Sequence, residues 1–104
     1  MDHPPLDLAQ MRTSARTVTS LLRALANEDR LILLCQMTQG ERSVGELEAE
    51  LDIRQPTLSQ QLGVLRTEGL VTTRREGKRI YYGVADPKVL HLLGTLYTLY
   101  CAKD

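Results

Sequence analysis

Apolar residues Met11, Ala15, Val18, Leu22 and Leu25 recur at spacings of four and three, which is one stripe of an amphipathic helix. Arg12, Arg16, Thr19 and Arg23 fall on the other side. Asn27 suits the cap of a second helix, with Glu28 and Asp29 in the first turn where the helix dipole favours acids. This helix runs through Leu31-Ile32-Leu33-Leu34-Cys35 to about Thr38, and Gly40 stops it. It is apolar on most sides, so it should be central to the core. Residues 1–10 are polar and Pro-containing and read as a frayed start, in which His3 is incidental.

Ser43-Val44-Gly45-Glu46 has the form of a capping box. A short helix follows, with Val44, Leu47 and Leu51 inward. A tight turn over Asp52-Ile53-Arg54 leads to Pro56, which suits the first position of the next helix. Leu58, Leu62 and Leu65 form its inward stripe, and Gly69 ends it. The period then falls to two. Val71-Thr72-Thr73-Arg74-Arg75 and Arg79-Ile80-Tyr81-Tyr82-Gly83-Val84 read as strands joined at Glu76-Gly77-Lys78. Asp86-Pro87 opens a last helix with two apolar stripes, Leu90-Leu93-Tyr97-Tyr100 and Val89-Leu92-Leu96-Leu99. One stripe satisfies a domain's own core; two suggest packing on another chain.

The elements therefore predict a mainly helical α+β chain in one domain, 1–104. Two short helices joined by a turn of about four residues and followed by a β-hairpin have the order of a winged helix-turn-helix. A B-form major groove admits one helix, and the first helix of such a pair holds the second in place. The outer side of the second helix carries Gln55, Thr57, Ser59, Gln60 and Gln61. These uncharged donors and acceptors suit base edges and phosphates. Arg74, Arg75, Lys78 and Arg79 at the hairpin suit phosphates or a minor groove.

The formal net charge of zero does not exclude a double-stranded DNA partner, because the charge is divided along the chain. Glu41 to Asp52 holds five acids and one base; Arg54 to Arg79 holds six bases and two acids. The second stretch is the one that contains the candidate reader and wing. No apolar run is long enough for a bilayer and no basic segment precedes an apolar one at the start, so the expected location is cytoplasmic, without membrane contact. The two cysteines, Cys35 and Cys101, are too few for a disulfide scaffold and have no zinc-knuckle spacing.

Over about Thr13 to Cys101 the chain resembles the ArsR-type winged-helix repressors. The stretches that carry the resemblance are Leu25-Ala26-Asn27-Glu28-Asp29-Arg30-Leu31, Ser43-Val44-Gly45-Glu46-Leu47, Gln55-Pro56-Thr57-Leu58-Ser59-Gln60-Gln61-Leu62, Arg66-Thr67-Glu68-Gly69-Leu70-Val71 and Gly77-Lys78-Arg79-Ile80-Tyr81-Tyr82. The resemblance implies a non-enzymatic regulator that forms a homodimer through its first and last helices, here 11–25 and 86–101. It also implies DNA reading by the helix from Gln55, and the two-fold symmetry of a dimer predicts an inverted-repeat operator.

Family members differ in what releases them from DNA. Those that bind metal through a Cys-x-Cys pair have it where this chain has Ser43, Val44 and Gly45. Those that hold zinc on the last helix need companions to Asp86 and His91 that are absent here, and one imidazole does not make a four-ligand site. No metal site and no resident cofactor are therefore expected. Cys35 with Cys101 resembles the persulfide- and sulfide-responsive subgroup, the biofilm growth-associated repressor type. That likeness implies linkage of the two thiols by reactive sulfur species. On residues alone, two inert core cysteines are the plainer reading. A metal or haem sensor using the same cysteines and a protein-binding winged helix also remain open; a thiol oxidoreductase lacks a Cys-x-x-Cys motif.

Overall fold

The computed structural model describes residues 5–101, so His3 lies outside the described residues. The elements follow in the order α1 (Leu8–Leu25), α2 (Glu28–Met37), β1 (Arg42–Ser43), α3 (Val44–Glu50), α4 (Thr57–Thr67), β2 (Val71–Glu76), β3 (Arg79–Val84) and α5 (Pro87–Tyr100).

α1 begins three residues before Met11. The Asp7 carboxylate accepts from the Ala9 and Gln10 amides at 2.9 and 3.3 Å, which satisfies donors that a helix start leaves open. α1 thus includes Leu8, Ala9 and Gln10, which lie within the stretch expected to be frayed. Asn27 caps α2 by accepting from the Arg30 amide at 3.0 Å, and Asp86 caps α5 by accepting from Lys88 at 2.8 Å. The connection from α3 to α4 spans residues 51–56, longer than the four-residue turn expected. Pro56 stands at the cap of α4 rather than at its first residue.

Leu33, Leu34, Leu47, Leu58, Leu62, Leu65 and Leu93 are fully buried and bring α2, α3, α4 and α5 around one core. Each such side chain contributes roughly 1.5–3 kcal/mol of transfer free energy. The central place of α2 follows from its apolar sides. The sheet has the order β1-β3-β2, all antiparallel. Gly77, with φ of +62°, supplies the left-handed residue of the tight β2–β3 turn. β1 is an addition to the expected hairpin: Arg42 pairs with Tyr82 and Ser43 with Tyr81. A two-residue strand carries no alternation from which to read it.

The outer helices depart furthest from a closed core. On α1 only Ala24 and Leu25 are buried, while Met11, Val18 and Leu22 face out. On α5 the buried pair is Val89 and Leu93, one residue from each expected stripe; Leu90, Tyr97, Leu99 and Tyr100 are exposed. The radius of gyration is 15.8 Å, against about 13 Å for a compact domain of this length. No helix among the described residues is long and apolar enough to cross a membrane.

Candidate nucleic-acid interface and thiol pair

α3 and α4 form the pair that presents a reading face. The start of α3 is fixed by a complete capping box. Ser43 Oγ accepts from the Glu46 amide at 3.1 Å, and Glu46 Oε1 accepts from the Ser43 amide at 2.8 Å. The Ser43 amide holds the Glu46 carboxyl below its ordinary value, with help from the Ser43 hydroxyl, Arg42 and Arg79 against the opposing effect of burial. α4 buries Leu58, Leu62 and Leu65, which turns Ser59, Gln60, Gly63 and Thr67 to the outside.

The five expected readers do not stand alike. Ser59 and Gln60 are exposed, and Thr57 is half-buried. Gln55 Oε1 accepts from the Ser59 amide at 3.1 Å, so this exposed side chain closes the first turn of α4. Gln61 is half-buried, and its Oε1 accepts from Arg30 Nη1 at 2.9 Å. Gln61 thus differs from Ser59 and Gln60: its carbonyl is already engaged inside the protein.

The wing divides in the same way. Arg74 donates from Nε to Glu41 at 2.9 Å and from Nη1 to Glu76 at 2.7 Å, and it lies over the Tyr81 ring at 4.8 Å. The carboxylates of Glu76 and Glu41 raise its pKa further. Arg74 is thus paired with two acids within the protein. Arg75, Lys78 and Arg79 are exposed and have no ion-pair partner among the described residues.

Arg30, the partner of Gln61, is a residue whose contact sequence reasoning passed over. A signal was present: it is a base in the first turn of α2, where the helix dipole opposes positive charge. Such a placement needs a compensating partner.

Cys35 lies half-buried on α2 against the core, and Cys101 is exposed at the C-terminal cap of α5; both are free thiols. α2 and α5 pack together. Burial, and secondarily the charge of the neighbouring Cys101, push the Cys35 thiol above its ordinary value. The two thiols, 66 positions apart in the chain, thus lie on two helices that pack together. Among the described residues no group of three or more His, Cys, Asp or Glu is placed to hold a metal ion. Asp86 is engaged as the cap of α5, and His91 is exposed.

A helix pair backed by a buried leucine stripe, followed by a hairpin wing with free bases, defines a winged helix-turn-helix. Residues 27–73 match the model of the ArsR family of bacterial regulatory proteins. The chain belongs to that family and is a transcriptional regulator rather than an enzyme. It is 53% identical to the biofilm growth-associated repressor of Agrobacterium fabrum, with 96% of this chain and 90% of that protein covered. The crystal structure of the transcriptional repressor BigR from Xylella fastidiosa superposes with a TM-score of 0.85 at 47% identity, covering 94% of this chain and all of that one. The solution structure of a homodimeric winged helix-turn-helix DNA-binding domain from Mycobacterium bovis superposes with a TM-score of 0.72 at 32% identity, covering 95% of this chain and 89% of that one.

Proposed function

We propose that the chain is a homodimeric repressor acting in the cytoplasm, which binds an inverted-repeat operator and is released when reactive sulfur species link Cys35 to Cys101. The observation that carries the release mechanism is the placement of the two free thiols: Cys35 lies half-buried on α2 and Cys101 caps the end of α5, the helix packed against it, within a family whose members act on DNA. The likeness to proteins named repressors supports the direction of control. The exposed apolar faces of α1 and α5 support a second copy as partner.

On DNA, Ser59 and Gln60 meet base edges in the major groove, with Thr57 and Gln55 at the start of the same helix. Arg75, Lys78 and Arg79 neutralise phosphates. Two-fold symmetry sets the half-site centres about one helical turn, or a multiple of it, apart.

The linkage needs no external oxidant beyond the inducer. With an organic persulfide, one of the two cysteine thiolates attacks the outer sulfur, the persulfide S–S bond breaks, and the organic thiol leaves with a proton. The other thiolate then attacks the sulfur of the first cysteine and expels hydrosulfide. The two protein thiols are oxidised to a disulfide and the transferred sulfur is reduced to sulfide. With an organic trisulfide, one cysteine thiolate attacks the central sulfur and displaces one thiolate. The other cysteine then attacks that same sulfur and displaces the second. The product is a Cys35–S–Cys101 bridge containing one added sulfur, with two organic thiols released.

Intact mass of protein treated with glutathione persulfide, glutathione trisulfide and hydrogen peroxide tests the chemistry. The expected product of trisulfide is a bridge one sulfur atom heavier than the disulfide. Alkylatable Cys35 and Cys101 after every treatment would remove the thiols from the mechanism.

A further inference from the structure

Arg30 Nε donates to the Ala24 carbonyl at 2.6 Å, Nη2 to the Arg23 carbonyl at 3.3 Å, and Nη1 to Gln61 Oε1 at 2.9 Å. One guanidinium thus joins the end of α1, the start of α2 and the reading helix. From these contacts we infer that Arg30 is a positioning residue for DNA reading, which locks α4 to the end of α1 through Gln61 and so sets the rotation at which Gln60 meets the groove. The inference rests on the DNA-binding reading and is independent of the thiol switch.

The residues explain each arm of the clamp. Arg23 and Ala24 belong to the last turn of α1, where positive charge is favoured and the Arg23 carbonyl takes a long bond, 3.3 Å, from the Ala26 amide. Gln61 supplies an amide carbonyl from the half-buried side of α4, beside the exposed Gln60. The three contacts draw on separate N–H groups of a rigid planar fork, which a lysine ammonium on a flexible stem does not reproduce. α1 also presents the exposed apolar face proposed to meet a second copy. The clamp therefore relates the reading helix to the dimer frame, and through it to the reading helix of the partner.

A residue that only supported the fold would change stability and leave sequence discrimination intact. The test uses a duplex selected by the reduced wild-type protein from a randomised library. For each variant it measures the ratio of affinity for that duplex to affinity for random duplex, together with the melting temperature. Gln61→Leu removes the acceptor but leaves Arg30 on the end of α1, so it keeps the test valid should Arg30→Lys fail to fold. Both single variants are expected to lower the ratio by about tenfold, the scale of one good base contact. Gln61→Glu retains an acceptor and is expected to keep the ratio. The double variant Arg30→Lys, Gln61→Leu is expected to be no worse than either single, because the two act as one unit. A Gln61→Leu protein whose ratio stays within about twofold of wild type overturns the inference, as does a double variant whose loss is the product of the two singles. A wild type that enriches no sequence at all overturns the DNA reading instead, and the inference falls with it.

Discussion

The Arg74 guanidinium donates from Nε to Glu41 at 2.9 Å, a contact that ties the wing to the segment leading into β1. Glu76 accepts from its other side, so Arg74 is already paired within the wing. Exposed pairs of this kind contribute little to stability, so the consequence falls on DNA binding. Arg74→Ala is expected to flatten the dependence of log affinity on log salt less than Lys78→Ala does. The latter should reduce that slope by about one unit and weaken all duplexes alike. Binding isotherms at several salt concentrations measure both.

Gln60 is the exposed amide on α4. Gln60→Ala is expected to relax preference at one base pair of each half-site, at a cost of roughly 1–3 kcal/mol for the preferred base. Competition with duplexes altered singly at each position reads this out. An unchanged preference profile would remove Gln60 from the reading set.

Much of this arrangement is legible in the sequence because its signals are local. Ser43 and Glu46 announce the start of α3, and the leucines of α4 define its inner side. The free bases of the wing are visible as a charged turn between two alternating runs. What the sequence conceals is pairing between distant segments. Nothing local shows that Glu41 reaches Arg74, 33 positions away, or that Arg30 reaches Gln61, 31 positions away. These two contacts engage side chains that were expected to face DNA. The α1 stripe was visible as a pattern, but periodicity does not say whether a face meets its own core or solvent; in this chain Met11, Val18 and Leu22 face out.

The apolar outer face of α5 gives a prediction about assembly. Leu99 is 68% exposed, so Leu99→Asp should leave the core intact while placing a charge in the proposed dimer contact. Sedimentation is expected to shift from dimer to monomer, with loss of tight operator binding. The isolated fold should melt at nearly the wild-type temperature, after allowance for the coupling of stability to assembly.

Cys35 makes stability depend on pH at the alkaline end. In the unfolded chain its thiol ionises near the ordinary value of 9.0; in the folded protein it ionises higher. Between the two values the folded chain binds more protons. The contribution is therefore fully present below 9.0 and is lost as pH rises through the folded value. Denaturant unfolding across this range should show a decline that Cys35→Ser reduces. The same shift predicts that, at neutral pH, Cys35 alkylates more slowly than a cysteine in an unstructured peptide.

Glu46 acts with the opposite sign. Its folded value lies below the ordinary 4.5, so the stabilisation is present above 4.5 and is lost as pH falls through the folded value. Glu46→Gln should flatten that acid limb. Ser43→Ala, which removes the cap, should cost about 1 kcal/mol at neutral pH.

Fluorescence anisotropy with the selected duplex tests the regulatory claim most directly, comparing reduced protein, protein linked by glutathione trisulfide with the bridge confirmed by mass, and the linked protein after dithiothreitol. The account predicts a loss of affinity of about a hundredfold on linkage, equivalent to roughly 2.7 kcal/mol of coupling, full recovery on reduction, and no response from Cys35→Ser. Linked protein that binds the duplex as tightly as the reduced form would contradict it.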